Sequence, residues 1–155
     1  MIDTPQIIPI LAQPIALVHL KIPRSDAMKV MGPSLMEVKK AVAKQNVAQA
    51  GPWFTHHLRM EPGTFDFEIC VPVASSIQPD GRVQPGEWPA MTVARTVHRG
   101  PFEKLGQAWG EFDAWLKSNN HATAEDLYEV YLVGPESGPD SSNYQTQLNR
   151  PIRSA

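Results

Sequence analysis

Glu129 lies in the run Leu127-Tyr128-Glu129-Val130-Tyr131-Leu132-Val133, a lone carboxylate among strand-forming aliphatic and aromatic residues, closed by Gly134-Pro135. Alternation along a strand puts Leu127, Glu129, Tyr131 and Val133 on one face and Tyr128, Val130 and Leu132 on the other. The second face is uniformly apolar and is the expected core face. On the first, burial of the acid costs several kcal/mol unless it finds a partner, so Glu129 reads either as a residue of a solvated sheet face or as a pocket acid awaiting a cationic or hydrogen-bonding ligand. Flat aromatic walls beside one acid suit hydrophobic cations, because rings supply dispersion and cation–π attraction while the acid neutralises charge. Trp53, His57, Trp88, Tyr131 and Tyr144 are the aromatic candidates, and strand propensity alone also accounts for aromatics at such positions.

Other reactive side chains point away from chemistry. The five histidines are His19, His56, His57, His98 and His121; adjacent His56 and His57 face opposite sides of a strand, and no HExxH or Cys-His cluster exists, so no metal site is expected. Cys70, the single cysteine, sits in an alternating strand and reads as a buried thiol. No phosphate loop, nucleophile elbow or dinucleotide fingerprint is present, and no cofactor is expected.

The elements that must carry these residues follow from periodicity. Ile7 to Ile22 reads as extended, and Gly32-Pro33-Ser34 with Glu37 reads as a helix start with capping-box spacing, followed by a Leu35, Val38, Ala41, Val42 stripe. Trp53 to Met60 and Phe65 to Val73 are strands joined by a turn at Glu61-Pro62-Gly63-Thr64. Ala74 to Pro89, rich in Pro and Gly, reads as a linker. Ala90 to His98 is a strand, Gly100-Pro101 opens a helix with Phe102, Leu105, Trp109, Phe112 and Leu116 on one stripe, and Leu127 to Val133 and Tyr144 to Ile152 are strands. Strand, Gly-Pro helix, strand, strand thus occurs twice. The expectation is one α+β domain over 1–155, a tandem βαββ repeat with pseudo-twofold symmetry. Repeat one spans about 7–73, the linker 74–89 and repeat two about 90–152, giving an antiparallel sheet with two helices on one face and a ligand cleft on the other.

Length and composition agree with one soluble globular domain: 155 residues, 14 Lys and Arg against 16 Asp and Glu, net charge −2. No basic stripe exists, so direct nucleic-acid binding is not expected. The apolar N-terminal stretch is interrupted by Pro9, Gln13, Pro14 and His19 and lacks a basic leader, so neither signal peptide nor membrane span is expected and the location is read as cytoplasmic.

Five motifs in order resemble a known family: Gly51-Pro52-Trp53-Phe54; Phe65-Asp66-Phe67-Glu68 to Val71-Pro72-Val73; Thr96-Val97-His98-Arg99-Gly100-Pro101-Phe102-Glu103-Lys104-Leu105-Gly106 with Trp109 and Trp115-Leu116; Glu129-Val130-Tyr131-Leu132; and Thr146-Gln147-Leu148 to Pro151-Ile152. Together they look like the GyrI-like small-molecule-binding domain, the effector-binding module also found at the C-terminus of AraC-type and BmrR-type regulators. The resemblance implies a tandem βαββ (SHS2-like) fold in which Glu129 matches a glutamate at the floor of an aromatic-lined cleft between the repeats and Tyr131 a commonly aromatic position beside it. His57 takes the place of a frequent tyrosine and Gln147 that of a frequent acid, so this pocket is less acidic than the pattern. As the chain begins almost at the first strand, it resembles stand-alone members, some of which bind drugs, one type of which antagonises DNA gyrase, and some of which hydrolyse cyclopropane-containing genotoxins.

The leading expectation is a binding protein for an aromatic or amphipathic molecule, cations included, with Glu129, Tyr131, Trp53 and His57 in contact with it. The alternative is a hydrolase with Glu129 as general base and Tyr131 or His57 as proton donor. A gyrase, a separately encoded regulator or a second copy of the chain is the protein partner considered, with Trp88 and Tyr144 as candidate exposed aromatics.

Overall fold

The computed structural model describes residues 2–153; Met1, Ser154 and Ala155, included in the expected domain of 1–155, lie outside the described residues. In chain order the elements are β1 (Gln6–Ile10), β2 (Gln13–Pro23), α1 (Ala27–Lys44), β3 (Phe54–Glu61), β4 (Thr64–Pro72), β5 (Gln84–Trp88), β6 (Met91–Arg99), α2 (Leu105–Ser118), β7 (Leu127–Val133) and β8 (Gln145–Pro151). The fold is α+β, with antiparallel strand pairs and two helices. Two compact units divide the chain, one from Leu11 to Ala90 and the other made of the residues up to Ile10 and from Met91 onward.

In the first unit the strands lie in the order β3, β4, β2, β5. The alternation in β4 works as written: Phe67, Ile69, Val71 and Val73 are buried together with Ala16, Val18 and Leu20 of β2 and with Val38, Ala41 and Val42 of α1. That shared cluster is what ties the helix to the sheet face. The helix begins earlier than Gly32. Ala27 is buried and Val30 and Met31 pack on the core, so tertiary burial extends the helix back through Pro33, which sits inside it at the loss of one backbone hydrogen bond. Ser34 and Glu37 therefore cap nothing. Ser34 is buried, and Glu37 instead takes the Arg82 guanidinium through three contacts of 2.9 to 3.1 Å.

The stretch 74–89, expected as a linker, holds β5 at its end, paired with β2 from Gln13↔Trp88 to Leu17↔Gln84. Pro85 and Gly86 disguise it. Proline is tolerated because β5 ends the strand order of its unit, and a Cβ at residue 86 would come within 2.6 Å of Leu17 Cδ2, so the close approach of the two strands requires glycine there.

In the second unit the order is β1, β6, β8, β7. The stretch from Ile7 to Ile22 is thus two strands serving two units: β1 pairs with β6 (Gln6↔Arg95 to Ile10↔Met91), while β2 belongs to the first unit. Ala108, Phe112 and Leu116 of α2 are buried with Ala94 of β6 and Leu148 of β8, and Trp109, Trp115 and Leu105 pack around them. α2 is preceded by a 3-10 turn over Phe102–Lys104 and is followed by Asn119 and Asn120, the latter left-handed at φ 59°. β7 covers the expected residues, with a register irregularity between Tyr131 and Val133.

Candidate functional site

Register decides which way Glu129 points. Residues directly opposite in an antiparallel pair share a face, and Glu129 stands opposite Leu148. Leu148 is fully buried against α2, so Glu129 and, two residues on, Tyr131 belong to the face that the helix covers. This corrects one expectation: the acid lies on the helix side of its sheet, not on the face away from the helices. The opposite face is core at Tyr128 and Val130, which are buried as expected, while Leu132 on it is 37% exposed.

Each oxygen of Glu129 is held by an aromatic donor. Trp109 of α2 donates its indole N–H to Oε2 at 2.7 Å, and Tyr131 donates its hydroxyl to Oε1 at 2.8 Å. Bonds to a carboxylate are among the stronger hydrogen bonds, so helix and strand together fix the direction of the half-buried carboxylate. The aromatic surface continues outward. Phe102 meets Tyr131 edge-on at 5.8 Å and Tyr144 at 5.0 Å, and Trp109 lies 5.8 Å from Phe112. One acid is thus held by Trp109 and Tyr131, and the aromatic contacts run on from Tyr131 to Phe102 and from Phe102 to Tyr144.

Of the residues expected from sequence, the structure brings together Glu129 and Tyr131. Trp53 and His57 are in the first unit: Trp53 is partly buried against its core cluster, and buried His57 stacks on Phe67 at 5.3 Å, meets Phe65 edge-on at 5.5 Å and contacts Thr55 Oγ1 at 3.2 Å. Gln147 stands opposite Val130, on the face away from Glu129, and accepts from Asn149. Trp88 and Tyr144, expected as exposed partner contacts, are half-buried and packed on Phe54 (4.6 Å) and Phe102. Trp109 belongs to the helical stripe of α2 and is partly buried on its core; its signal is that an indole packed there needs an acceptor, and an acid in a neighbouring apolar strand is one.

His56 and His57 do take opposite faces, with His56 Nδ1 3.0 Å from Glu68 Oε1. Among the described residues no group of His, Cys, Asp and Glu could hold a metal ion. Burial pushes the Cys70 thiol well above its ordinary range, and the Glu68 charge adds to this, so the thiol is not an activated nucleophile. No described helix is long and apolar enough to cross a membrane.

A family model for the GyrI-like small molecule binding domain matches residues 3–153. The chain belongs to this family. No curated protein sequence matches the GyrI-like chain. Among solved structures it is similar to the EcmrR C-terminal domain (TM-score 0.87, 19% identity, 98% of each chain covered). The same similarity appears in the EcmrR–DNA complex (TM-score 0.87, 22% identity), where 98% of this chain is covered and it spans only 58% of the EcmrR chain. It also resembles SAV2435 bound to tetraphenylphosphonium (TM-score 0.68, 10% identity, 98% of this chain and 95% of that one). A hydrolase from Listeria innocua has the fold as well, with TM-score 0.62 and 12% identity over 96% of this chain and 91% of that one. At these identities the likeness is one of fold.

Proposed function

We propose that this GyrI-like small-molecule-binding domain seats an aromatic or amphipathic cation against Glu129, with Trp109 and Tyr131 as the walls that orient the acid. The observation that carries it is the pair of aromatic hydrogen bonds to the two carboxylate oxygens. Indole and phenol donors aim the acid without bringing a positive charge of their own, and their rings add cation–π and dispersion attraction. The tetraphenylphosphonium bound by SAV2435 is a ligand of this chemistry on the same fold and supports the choice of class. A thermal-shift panel of phosphonium, ammonium and neutral aromatic compounds tests it. Cations are expected to stabilise the native chain, and Glu129→Gln to remove that stabilisation; equal responses of the two proteins, or none in the native one, overturn the reading. Trp53 and His57 stay as proposed ligand contacts from the family pattern, and Trp53→Phe and His57→Phe in the same panel test them.

The Tyr131–Glu129 pair also puts a proton donor against a carboxylate, the arrangement a hydrolytic reading needs. Glu129-dependent, catalytic consumption of a reactive cyclopropane would favour it over binding. We further infer a duplicated βαββ unit, supported by the chain order β2, α1, β3, β4 and then β6, α2, β7, β8, and by the short strand that precedes each series, β1 or β5, pairing with the first strand of the other, β6 or β2. A cytoplasmic site of action fits a single thiol that stays reduced there. The EcmrR–DNA complex suggests a regulator as protein partner, with gyrase or a second copy as alternatives, distinguishable by co-purification and solution mass.

A further inference from the structure

Two buried polar side chains on the same sheet face as the carboxylate have no role in the binding described so far. His98 is 1% exposed and Thr146 0%. They stand directly opposite each other across β6 and β8, and Tyr131 of β7 stands opposite Thr146, so all three share the face covered by α2. His98 Nε2 lies 3.2 Å from the Pro101 carbonyl oxygen. A carbonyl only accepts, so this contact puts the proton on Nε2 and leaves a lone pair on Nδ1. That Nδ1 and the Thr146 hydroxyl are both closed to solvent and have no hydrogen-bond partner among the described residues. Such groups cost stability and are rare in folded proteins, which makes a neighbouring pair of them a mark of function.

We propose that His98 Nδ1 and Thr146 Oγ1 form a second anchor of the ligand site, taking an amine or hydroxyl donor from a ligand whose cationic aromatic part lies on Glu129 and Tyr131. The inference rests on the binding reading above and narrows its ligand class to cations that also carry a hydrogen-bond donor. Nδ1 can only accept and the threonine hydroxyl can accept, so a donor is the group that satisfies both. Strand geometry sets the span: one row along and one or two strands across from Glu129 is roughly 8 to 12 Å between backbone positions, shortened by side chains that reach inward. The Gly100–Phe102 segment covers the anchor. A Cβ on Gly100 would lie 3.9 Å from the His98 ring, the Gly100 N–H donates to the Tyr144 carbonyl at 2.9 Å, and the Phe102 ring rests on Tyr131 and Tyr144. A ligand reaching both anchors displaces this segment.

Calorimetric titration with benzyltriphenylphosphonium and (4-aminobenzyl)triphenylphosphonium, which differ in one aromatic amine, tests the inference on the native chain, Thr146→Val, Thr146→Ser and His98→Phe, with melting temperatures taken without ligand. The native protein is expected to prefer the amino compound about fivefold or more, the scale of one hydrogen bond. Thr146→Val is expected to raise the melting temperature, because an unmet buried hydroxyl is replaced by an isosteric methyl, and yet to shrink the preference while leaving affinity for the unsubstituted cation unchanged. Thr146→Ser keeps the preference. Equal affinity of the two compounds for the native chain, or an undiminished preference in Thr146→Val, overturns the second anchor and leaves cation binding at Glu129 standing. Binding of neither compound overturns both. If His98→Phe fails to fold, Thr146→Val still decides.

Discussion

A carboxylate that accepts from an indole on one oxygen and a phenol on the other is fixed in direction before any ligand arrives, and such preorganisation is where affinity is gained. Trp109→Phe keeps the ring and deletes the N–H. It is expected to lower affinity for an aromatic cation about three- to tenfold, less than removing the Glu129 charge does, and to destabilise the fold by about 1 to 2 kcal/mol. Titration calorimetry and urea unfolding of the variant check this; unchanged affinity would mean that the indole plays no part in aiming the acid. Glu129 was legible in the sequence because an acid in an apolar strand is an anomaly. Its orientation was not, since period two separates the faces of a strand without saying which one a helix will cover. Tyr144 stood among the aromatic candidates, but Trp109 and Phe102 were obscured for a related reason: aromatic residues at helical core spacing look alike whether they fill a core or face a neighbouring acid.

At the scale of elements, the two departures from local signals have physical causes that can be measured. Pro33 lies exposed inside α1, where it removes a backbone hydrogen bond, and packing of Ala27, Val30 and Met31 carries the helix through it. Pro33→Ala is expected to stabilise the protein by about 1 to 3 kcal/mol in urea unfolding; destabilisation would show that the ring's restriction of the unfolded chain matters more. Glu37, expected as a cap, is paired with Arg82, whose hydrogen bonds and charge hold the carboxyl below its usual range. A depressed folded pKa means stability present above the unfolded value near 4.5 and lost as pH falls through the folded one. Both side chains are largely exposed, so screening keeps the contribution under about 1 kcal/mol. Arg82→Ala is therefore expected to be slightly less stable than the native chain at pH 7 and equally stable well below pH 4. A gap that persists in acid would place the effect elsewhere.

For the molecule as a whole, eight of the ten regular elements could be read from hydrophobic period and from Gly-Pro punctuation, because β4, α2 and β7 each bury the face their pattern predicts or hold the range it sets. What could not be read is pairing across long separations. β1 joins β6 and β5 joins β2, and nothing local in Gln6–Ile10 or in the Pro- and Gly-bearing Gln84–Trp88 records a partner some seventy or more positions away. Family membership over residues 3–153 makes this a small-molecule-binding domain, and the proposed site around Glu129 on the α2-covered face is the residue-level reading to be tested. The most direct test is titration calorimetry of benzyltriphenylphosphonium against the native chain and Glu129→Gln at low and physiological salt. Saturable binding to the native protein, weakened at least about tenfold by the substitution, is the predicted result, about 1.4 kcal/mol. Equal binding by both proteins would contradict a carboxylate-centred site.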